Sequence, residues 1–136
     1  MSGPAGERLR FRPRHRVRSR RDFEAVYAAR TTRRLGPLVV HARLNGLGHA
    51  RLGLAVPRRV GPAPRRNRIR RRIREAFRLI RPSLPALDLV VHVRPHDPLL
   101  GTEEIEAMLQ RAARGLAARL GAAESPEVPR TPEAGT

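Results

Sequence analysis

The chain is short and strongly basic, with 136 residues, 29 arginines, no lysine and a formal net charge of +17 at pH 7. This length suits one domain with a modest core, and a hydrophobic content of 40% excludes a wholly disordered protein. The absence of cysteine excludes disulfides and thiolate metal sites. No apolar run reaches the roughly 18 residues of a membrane span, and the start lacks the apolar core of a signal peptide. We therefore expect a cytoplasmic protein with no membrane partner.

The positive charge is concentrated in the first two thirds of the chain. Residues 8–81 contain 24 arginines against 3 acidic residues, a net charge of +21, whereas residues 82–136 contain 5 arginines against 8 acidic residues, a net charge of −3. Such a concentration destabilises a folded chain by self-repulsion, which predicts a polyanionic partner. The exclusive use of arginine has two interpretations: guanidinium groups suit phosphates and base faces, or a GC-rich genome favours arginine codons.

A basic, partly extended segment (1–18) precedes the first predicted helix. Ser19 can cap this helix, with a carboxylate three residues on that completes an approximate capping box. The helix is predicted over about residues 20–30, where Phe23 and Tyr27 share a face. From the pattern alone, the two rings serve either core packing or ligand binding.

Two segments of alternating polarity predict strands on either side of an Asn-Gly turn. Residues 38–44, LVVHARL, form the first strand and residues 50–57, ARLGLAVP, form the second. Asn45 and Gly46, which lie between them, are a pair typical of tight hairpins. We therefore expect the two strands to be neighbours in the sheet.

A further strand is predicted over residues 87–94, LDLVVHVR. One of its faces carries Val90, His92 and Arg94, which repeats the Val-His-Arg order of the earlier strand face that carries His41. The repetition predicts one sheet with an aliphatic side and a His/Arg side. The polar side is either a binding surface or an ordinary exposed sheet face.

An arginine-rich helix is predicted before this last strand, from about residue 65 to Pro82. At about 100° per residue, its apolar side chains fall within a sector of roughly 100°. These side chains are Ile69, Ile73, Ala76, Phe77 and Ile80. A disordered basic tail has no reason to keep such a stripe, so the pattern predicts one buried face and a remaining surface of guanidinium groups.

The last helix is predicted over residues 102–120, capped by Thr102 and ended by Gly121. It is followed by a Pro- and Glu-rich tail, residues 121–136, for which we expect disorder because it has no apolar periodicity. Together the elements predict a single small α+β domain over residues 19–120, in which a central, mostly antiparallel sheet is packed with three helices.

The stretch RRVGPAPRRNRIRRRIREAFR, from Arg58 to Arg78, resembles the basic signature of the protein subunit of bacterial ribonuclease P. In that family a basic pair, a hydrophobic residue and Gly precede R-N-x-x-K/R-R-x-x-R-E/Q, whose central triplet corresponds to residues 66–68. The segments RRDFEAVY, RLGLAV and DLVVHVR also look like that family, in the same order. The resemblance covers about residues 8–120, and the ordered set of segments is far more specific than the triplet alone.

The resemblance implies a sheet of about four strands, the element order α-β-β-(β)-α-β-α, and a βαβ crossover that is left-handed in the family. It implies an RNA-binding subunit of the ribozyme that removes the 5′ leader from precursor tRNA. In the family the catalytic centre lies in the RNA with its Mg²⁺ ions, so no catalytic or metal-binding residue is expected in this chain. The protein would act as a monomer, bind one ribonuclease P RNA, and hold the leader between the first helix and the sheet.

The residues that match the family's contact positions fall into two sets. The set implied to bind the RNA subunit is Arg58, Arg59, Arg65, Arg66, Asn67, Arg68, Arg70, Arg71 and Arg74. The set implied to bind the leader is Phe23, Tyr27, His41, Arg43 and His92. Both have a physical basis, because guanidinium forks bind phosphates and unstacked bases stack on rings or guanidinium planes.

Some residues depart from the family pattern or have a competing explanation. Pro62 and Pro64 stand where a small polar residue and Val are usual, and His41 stands near a position where Tyr or Phe is expected. The fourth strand of the family has no clear alternating pattern in this sequence, and residues 33–36 are the candidate position for it. Asn67 either contacts RNA, caps the basic helix, or does both.

Two other functions stay open at this point. Composition alone also fits a ribosomal or other structural RNA-binding protein, which the ordered segments disfavour. A self-sufficient nuclease is disfavoured because the five histidines show no metal-ligand spacing such as H-E-x-x-H and the acidic residues form no evident cluster.

Overall fold

The computed structural model describes residues 11–121, so the first ten residues and the predicted tail beyond Gly121 lie outside the description. The helices are α1 (Arg20–Ala28), α2 (Ala63–Ile80) and α3 (Thr102–Leu120). The strands are β1 (Thr31–Leu35), β2 (Leu38–Leu44), β3 (Arg51–Ala55) and β4 (Leu87–Val93). The predicted α+β class, with three helices and four strands, is confirmed.

The four strands form one mixed sheet in the order β1-β2-β4-β3. The β1–β2 and β2–β4 pairs are antiparallel, and the β3–β4 pair is parallel. The parallel pair is joined through α2, which is the predicted βαβ crossover. The fourth strand is β1, at the position suggested for it, and it turns into β2 through Gly36 and Pro37, with Gly36 at a φ of 56°.

The predicted hairpin between β2 and β3 is wrong, because β4 lies between these two strands. The Asn45-Gly46 pair begins a longer loop that passes over the end of β4. This loop spans the distance of about 10 Å between β2 and β3, which are two strand spacings apart. Asn45 organises this loop with its side chain: Oδ1 accepts a hydrogen bond from the Leu47 N–H at 2.8 Å, and Nδ2 donates to the His49 carbonyl at 3.0 Å. The residue pair typical of hairpins therefore serves here in a turn stabilised by its side chain.

The two faces of the sheet are covered by different helices. The aliphatic face packs against α2 and α3, and all five side chains of the predicted α2 stripe are buried there. The opposite face packs against α1 through a smaller cluster of Val17, Val26 and Val90, with Phe23 beside it. Burial of each large aliphatic or aromatic side chain of this kind stabilises the fold by about 1.5–3 kcal/mol.

Two helix starts differ from the prediction by one or two residues. Helix α2 begins at Ala63, because Pro64 in the first turn needs no N–H partner and its fixed φ suits the helix. Asn67 therefore lies inside the helix, and its predicted role as the N-cap is wrong. The N-cap of α3 is Gly101, whose N–H donates to Glu104 Oε1 at 2.9 Å, so Thr102 is the first helical residue.

The start of α1 is as predicted, because the Asp22 N–H donates to Ser19 Oγ at 3.0 Å. Before it, the described part of the N-terminal segment runs around the β3 edge of the sheet. The Val17 N–H donates to the Leu52 carbonyl at 2.9 Å, and the ring of Phe11 meets Phe77 edge to face at 5.6 Å. This segment thus connects the α2 side of the sheet to the α1 side. None of the helices described within residues 11–121 is long and apolar enough to span a membrane.

Candidate nucleic-acid interface

The exposed side of α2 is a surface of guanidinium groups. Because the apolar stripe of the helix faces the core, Arg68, Arg71 and Arg74 project away from it and are exposed. None of these three forms an ion pair with a carboxylate of residues 11–121. Their charge is therefore not neutralised within the described protein and is free to meet an anion.

Two carboxylates do reach arginines of α2, near the two ends of the helix. Glu75 Oε2 lies 2.7 Å from Arg78 Nη2, and Asp97 Oδ1 lies 3.3 Å from Arg65 Nη2. Pairs at this degree of exposure contribute little to stability. The central part of the basic surface, between them, carries only positive charge.

The first two arginines of α2 each hold a neighbouring loop in addition to contributing charge: Arg65 contacts the loop after β4 and Arg66 contacts the loop before α2. Arg65 Nη2 donates to the His96 carbonyl at 2.6 Å, and Arg66 Nε donates to the Gly61 carbonyl at 3.0 Å. Both side chains are half-buried, whereas Arg58 and Arg59 are exposed on the short turn before the helix. Seven of the nine residues of the predicted RNA-subunit set thus lie on α2, and Arg58 and Arg59 lie on the turn just before it.

A groove follows α2 where the helix passes the N-terminal segment. It has a volume of about 380 Å³, and Arg70 Nη1 at its wall donates to Asn67 Oδ1 at 3.0 Å. The groove is lined by Phe11, Asn67, Arg70, Arg71, Arg74, Glu75 and Arg78. It combines one aromatic ring with several guanidinium groups, which is the chemistry that binds an unstacked base and its phosphates.

Like charges crowd this groove. The pKa of Arg74 is lowered first by partial burial and then by the neighbouring charges of Arg16 and Arg70. A polyanion in the groove would relieve that repulsion, so the site favours the binding of phosphate.

On the opposite face of the sheet, α1 places Tyr27 over His41. The two ring centroids are 4.9 Å apart at an interplanar angle of 83°, and Tyr27 is 40% exposed. His41 Nδ1 lies 3.1 Å from Thr32 Oγ1 on β1, which fixes the imidazole plane. The pair offers an aromatic surface that remains open to solvent, and we call the margin between α1 and the sheet beside Tyr27 and His41 the cleft.

His92 is a neighbour of His41 on the same face of the sheet. The register pairs His41 with Val90 and His92 with Val39, so the two imidazoles lie on adjacent strands. Burial lowers the pKa of His41, and the proximity of His92 lowers it further. Both effects favour the uncharged imidazole, in which His41 can stack or accept a hydrogen bond.

Phe23 is more deeply placed than Tyr27. The two rings are 6.4 Å apart and tilted by 42°, but Phe23 packs into the cluster of Val17, Val26 and Val90. It is half-buried, so it supports α1 from within and presents less of its ring to solvent than Tyr27 does. The core-packing interpretation of Phe23 is thus confirmed, and its role in leader binding stays a prediction.

Arg43 is held in an ion cluster at the end of the cleft. Its Nε donates to Asp88 Oδ2 at 3.0 Å, and its Nη2 lies 3.4 Å from Asp22 Oδ1. Arg51 lies beside it and donates to both Asp88 oxygens at 2.7 Å. Arg43 therefore shares its charge with two carboxylates and is not an unpaired cation.

Asp88 is the most important site residue that the sequence analysis missed. It is fully buried, and in addition to the two arginines it accepts a hydrogen bond from Asn45 Nδ2 at 3.0 Å. Burial by itself raises the pKa of this carboxyl, but the hydrogen bonds from Arg51, Asn45 and Arg43 outweigh burial and leave the pKa below its ordinary value. The available signal was an acidic residue inside an aliphatic strand, which requires a buried cationic partner.

The described residues offer no evident metal cage. Within residues 11–121 no group of three or more His, Asp or Glu side chains is placed to hold a metal ion. The buried carboxylate of Asp88 is already surrounded by cationic and amide donors.

Comparison with known proteins gives one family. The family model for ribonuclease P matches residues 11–117. The ribonuclease P protein component of Syntrophobacter fumaroxidans is 40% identical over 101 residues, which cover 73% of this chain and 81% of the relative. That of an Azoarcus species is 39% identical over 121 residues, which cover 88% of this chain and 98% of the relative.

Solved structures of RNase P proteins share the fold of this chain. The RNase P protein of Staphylococcus aureus superposes with a TM-score of 0.65 at 29% identity, over 74% of this chain and 93% of that one. The RNase P protein of Thermotoga maritima superposes with a TM-score of 0.57 at 34% identity, over 76% of this chain and 96% of that one. From the matched residues, the relatives and the shared fold together, the chain belongs to the ribonuclease P protein family.

Proposed function

We propose that this chain is the protein subunit of a ribonuclease P holoenzyme, in which it binds the catalytic RNA and the 5′ leader of precursor tRNA. In this role it assists removal of the leader, which forms the mature 5′ end of the tRNA. The observation that carries the proposal is the outer face of α2, where Arg68, Arg71 and Arg74 have no carboxylate partner within residues 11–121.

The α2 surface and its groove would bind the RNA subunit. Arg68, Arg71 and Arg74 would contact phosphates, because their guanidinium groups are exposed and not paired with protein carboxylates. Arg65 and Arg66 would bind RNA with the N–H donors that are not used in their hydrogen bonds to the His96 and Gly61 carbonyls. One protein would bind one RNA in the cytoplasm.

The cleft under α1 would bind the leader as a single strand. Tyr27 and His41 supply an exposed aromatic surface on which an unstacked base can lie. Phe23 would contribute mainly by supporting this surface from within, and His92 would line its floor. Arg43 would contribute a directed hydrogen bond more than net charge, because it is paired with Asp88 and Asp22.

The proposal places cleavage chemistry in the RNA. Mg²⁺ prefers several oxygen ligands and keeps much of its water, and phosphates of the RNA supply such ligands. The protein would contribute charge neutralisation and orientation.

Reconstitution tests the proposal. The full-length protein is combined with a bacterial ribonuclease P RNA at a Mg²⁺ concentration at which the RNA alone is inactive, and cleavage of a precursor tRNA is measured. The complex should release the 5′ leader, and the protein alone should cut nothing. Cleavage by the protein alone, or no rescue of the RNA by a correctly folded protein, would refute the proposed role.

A further inference from the structure

The buried carboxylate of Asp88 lies where three strands meet, beneath the first turn of α1. Its partners in register are Arg43 on β2 and Arg51 on β3. Arg51 donates two hydrogen bonds of 2.7 Å to the carboxylate, and Arg43 donates one of 3.0 Å. A buried carboxylate with charge-assisted donors fixes the orientation of those donors.

The two oriented guanidinium groups also reach α1. Arg43 Nη2 lies 3.4 Å from Asp22 Oδ1, and Arg51 Nη2 lies 3.5 Å from Asp22 Oδ2. Asp22 is in the first turn of α1, immediately before Phe23. A continuous chain of contacts therefore runs from Asp88, through both arginines, to the helix that forms the roof of the cleft.

We propose that Asp88 and Asp22 are positioning residues for the leader. Their ion cluster holds the N-terminal end of α1 at a fixed distance from the sheet, and this distance sets the width of the cleft beside Tyr27 and His41. The inference rests on the proposed leader-binding role of that cleft.

The cluster acts through geometry and not through attraction of RNA. Two arginines and two aspartates give it no net charge, so it adds little to the field that draws phosphates toward the protein. It differs in this respect from the α2 surface. Loosening the cluster should therefore alter discrimination between substrates and leave binding of the RNA subunit unchanged.

The test compares Asp22→Asn with Glu24→Gln in the full-length protein. Each variant removes one negative charge from α1, but Glu24 is exposed and its one ion pair within residues 11–121 is with Arg20, at 2.9 Å. Asp22 is half-exposed, so its replacement leaves no fully buried charge unpaired. After assembly with a bacterial ribonuclease P RNA, the dissociation constants for precursor and mature tRNA are measured at one ionic strength.

Asp22→Asn should lower the ratio of precursor to mature affinity by about threefold to tenfold, because misplacement of a positioned group by even 1 Å is costly. Glu24→Gln should leave the ratio at the wild-type value. A purely electrostatic effect would instead raise the affinity for both tRNAs to a similar extent in both variants, and that outcome would overturn the proposal.

A second readout needs no RNA. Tyr27 is the only tyrosine and the chain has no tryptophan, so its fluorescence reports the position of α1 over the sheet. Quenching by neutral acrylamide should increase in Asp22→Asn, and more strongly in Asp88→Asn, but not in Glu24→Gln. Circular dichroism identifies any variant that fails to fold. If Asp88→Asn does not fold, quenching is compared between Asp22→Asn and Glu24→Gln alone.

The two readouts separate the possible failures. Unchanged quenching in the folded Asp22→Asn protein would overturn the positioning role, whatever the cleft binds. Increased quenching, together with a wild-type holoenzyme that does not prefer precursor tRNA, would overturn the leader role and the positioning of a leader with it. Increased quenching with a lowered precursor preference supports both.

Discussion

The ring of Phe23 occupies the space directly above Gly53. A Cβ built on Gly53 would lie 2.8 Å from Phe23 Cζ and 3.0 Å from the Cβ of Val17. The missing side chain on β3 therefore lets α1 and the N-terminal segment approach the sheet closely, and this approach brings Tyr27 over His41.

Gly53→Ala should destabilise the protein by about 1–3 kcal/mol, because the added methyl group displaces the Phe23 ring from a packed cluster. Unfolding in urea measures the change. Gly48→Ala is the matched control, since nothing lies within 4 Å of a Cβ at that position. Phe23→Leu added to Gly53→Ala should recover part of the loss, and two strictly additive losses would contradict the contact.

Tyr27→Ala should reduce the preference of the holoenzyme for precursor over mature tRNA by about 1–3 kcal/mol, the value of one stacked base. Tyr27→Phe keeps the ring and should retain most of the preference. Equilibrium binding of both tRNAs to the assembled holoenzyme measures the two affinities. An equal loss of affinity for both tRNAs would show that the exposed ring does not contact the leader.

The basic helix and the cap of α1 could be predicted because both depend on residues within one or two turns. The buried residues of α2 are those whose spacing put them on one face, and Ser19 caps α1 as expected. Sequence spacing alone was enough in both cases, since a helix closes its hydrogen bonds locally.

The arrangement of the strands and the ion cluster could not be predicted in this way. The Asn45-Gly46 pair suggested neighbouring strands, but strand order is decided by contacts between segments far apart in the chain. Likewise, Asp88 meets Arg51 only once the register of β3 against β4 is known. The sequence therefore predicted the side chains of the basic α2 surface, but it did not predict the ion cluster of Asp88, Arg43, Arg51 and Asp22.

The stability of the fold should decrease between pH 7 and pH 5 because of His15. This side chain is 1% exposed, and its Nδ1 accepts a hydrogen bond from the Arg12 N–H at 2.9 Å, which requires an unprotonated nitrogen. Burial, followed by nearby positive charges, lowers the pKa of His15 from 6.5 to about 4. Its contribution is therefore complete above pH 6.5 and is lost as the pH falls toward 4, because only the unfolded chain binds the proton.

The expected loss from this one residue is about 2 kcal/mol at pH 5 relative to pH 7, measured by urea unfolding at both pH values. His15→Phe should show a pH dependence weaker by that amount. The pKa of Asp88 lies below its ordinary value, so its protonation falls outside this range. An identical pH dependence in both proteins would mean that His15 is protonated in the folded state.

The salt dependence of RNA binding tests most directly whether the guanidinium face of α2 binds phosphates of the RNA subunit. Arg68→Gln combined with Arg71→Gln is compared with Arg111→Gln combined with Arg114→Gln, which removes the same charge from exposed positions on α3. In a plot of log affinity for ribonuclease P RNA against log salt, the α2 pair should reduce the slope magnitude by about two, one for each lost phosphate contact. The α3 pair should leave the slope unchanged. An unchanged slope for the α2 pair, or an equal decrease for both pairs, would contradict the account.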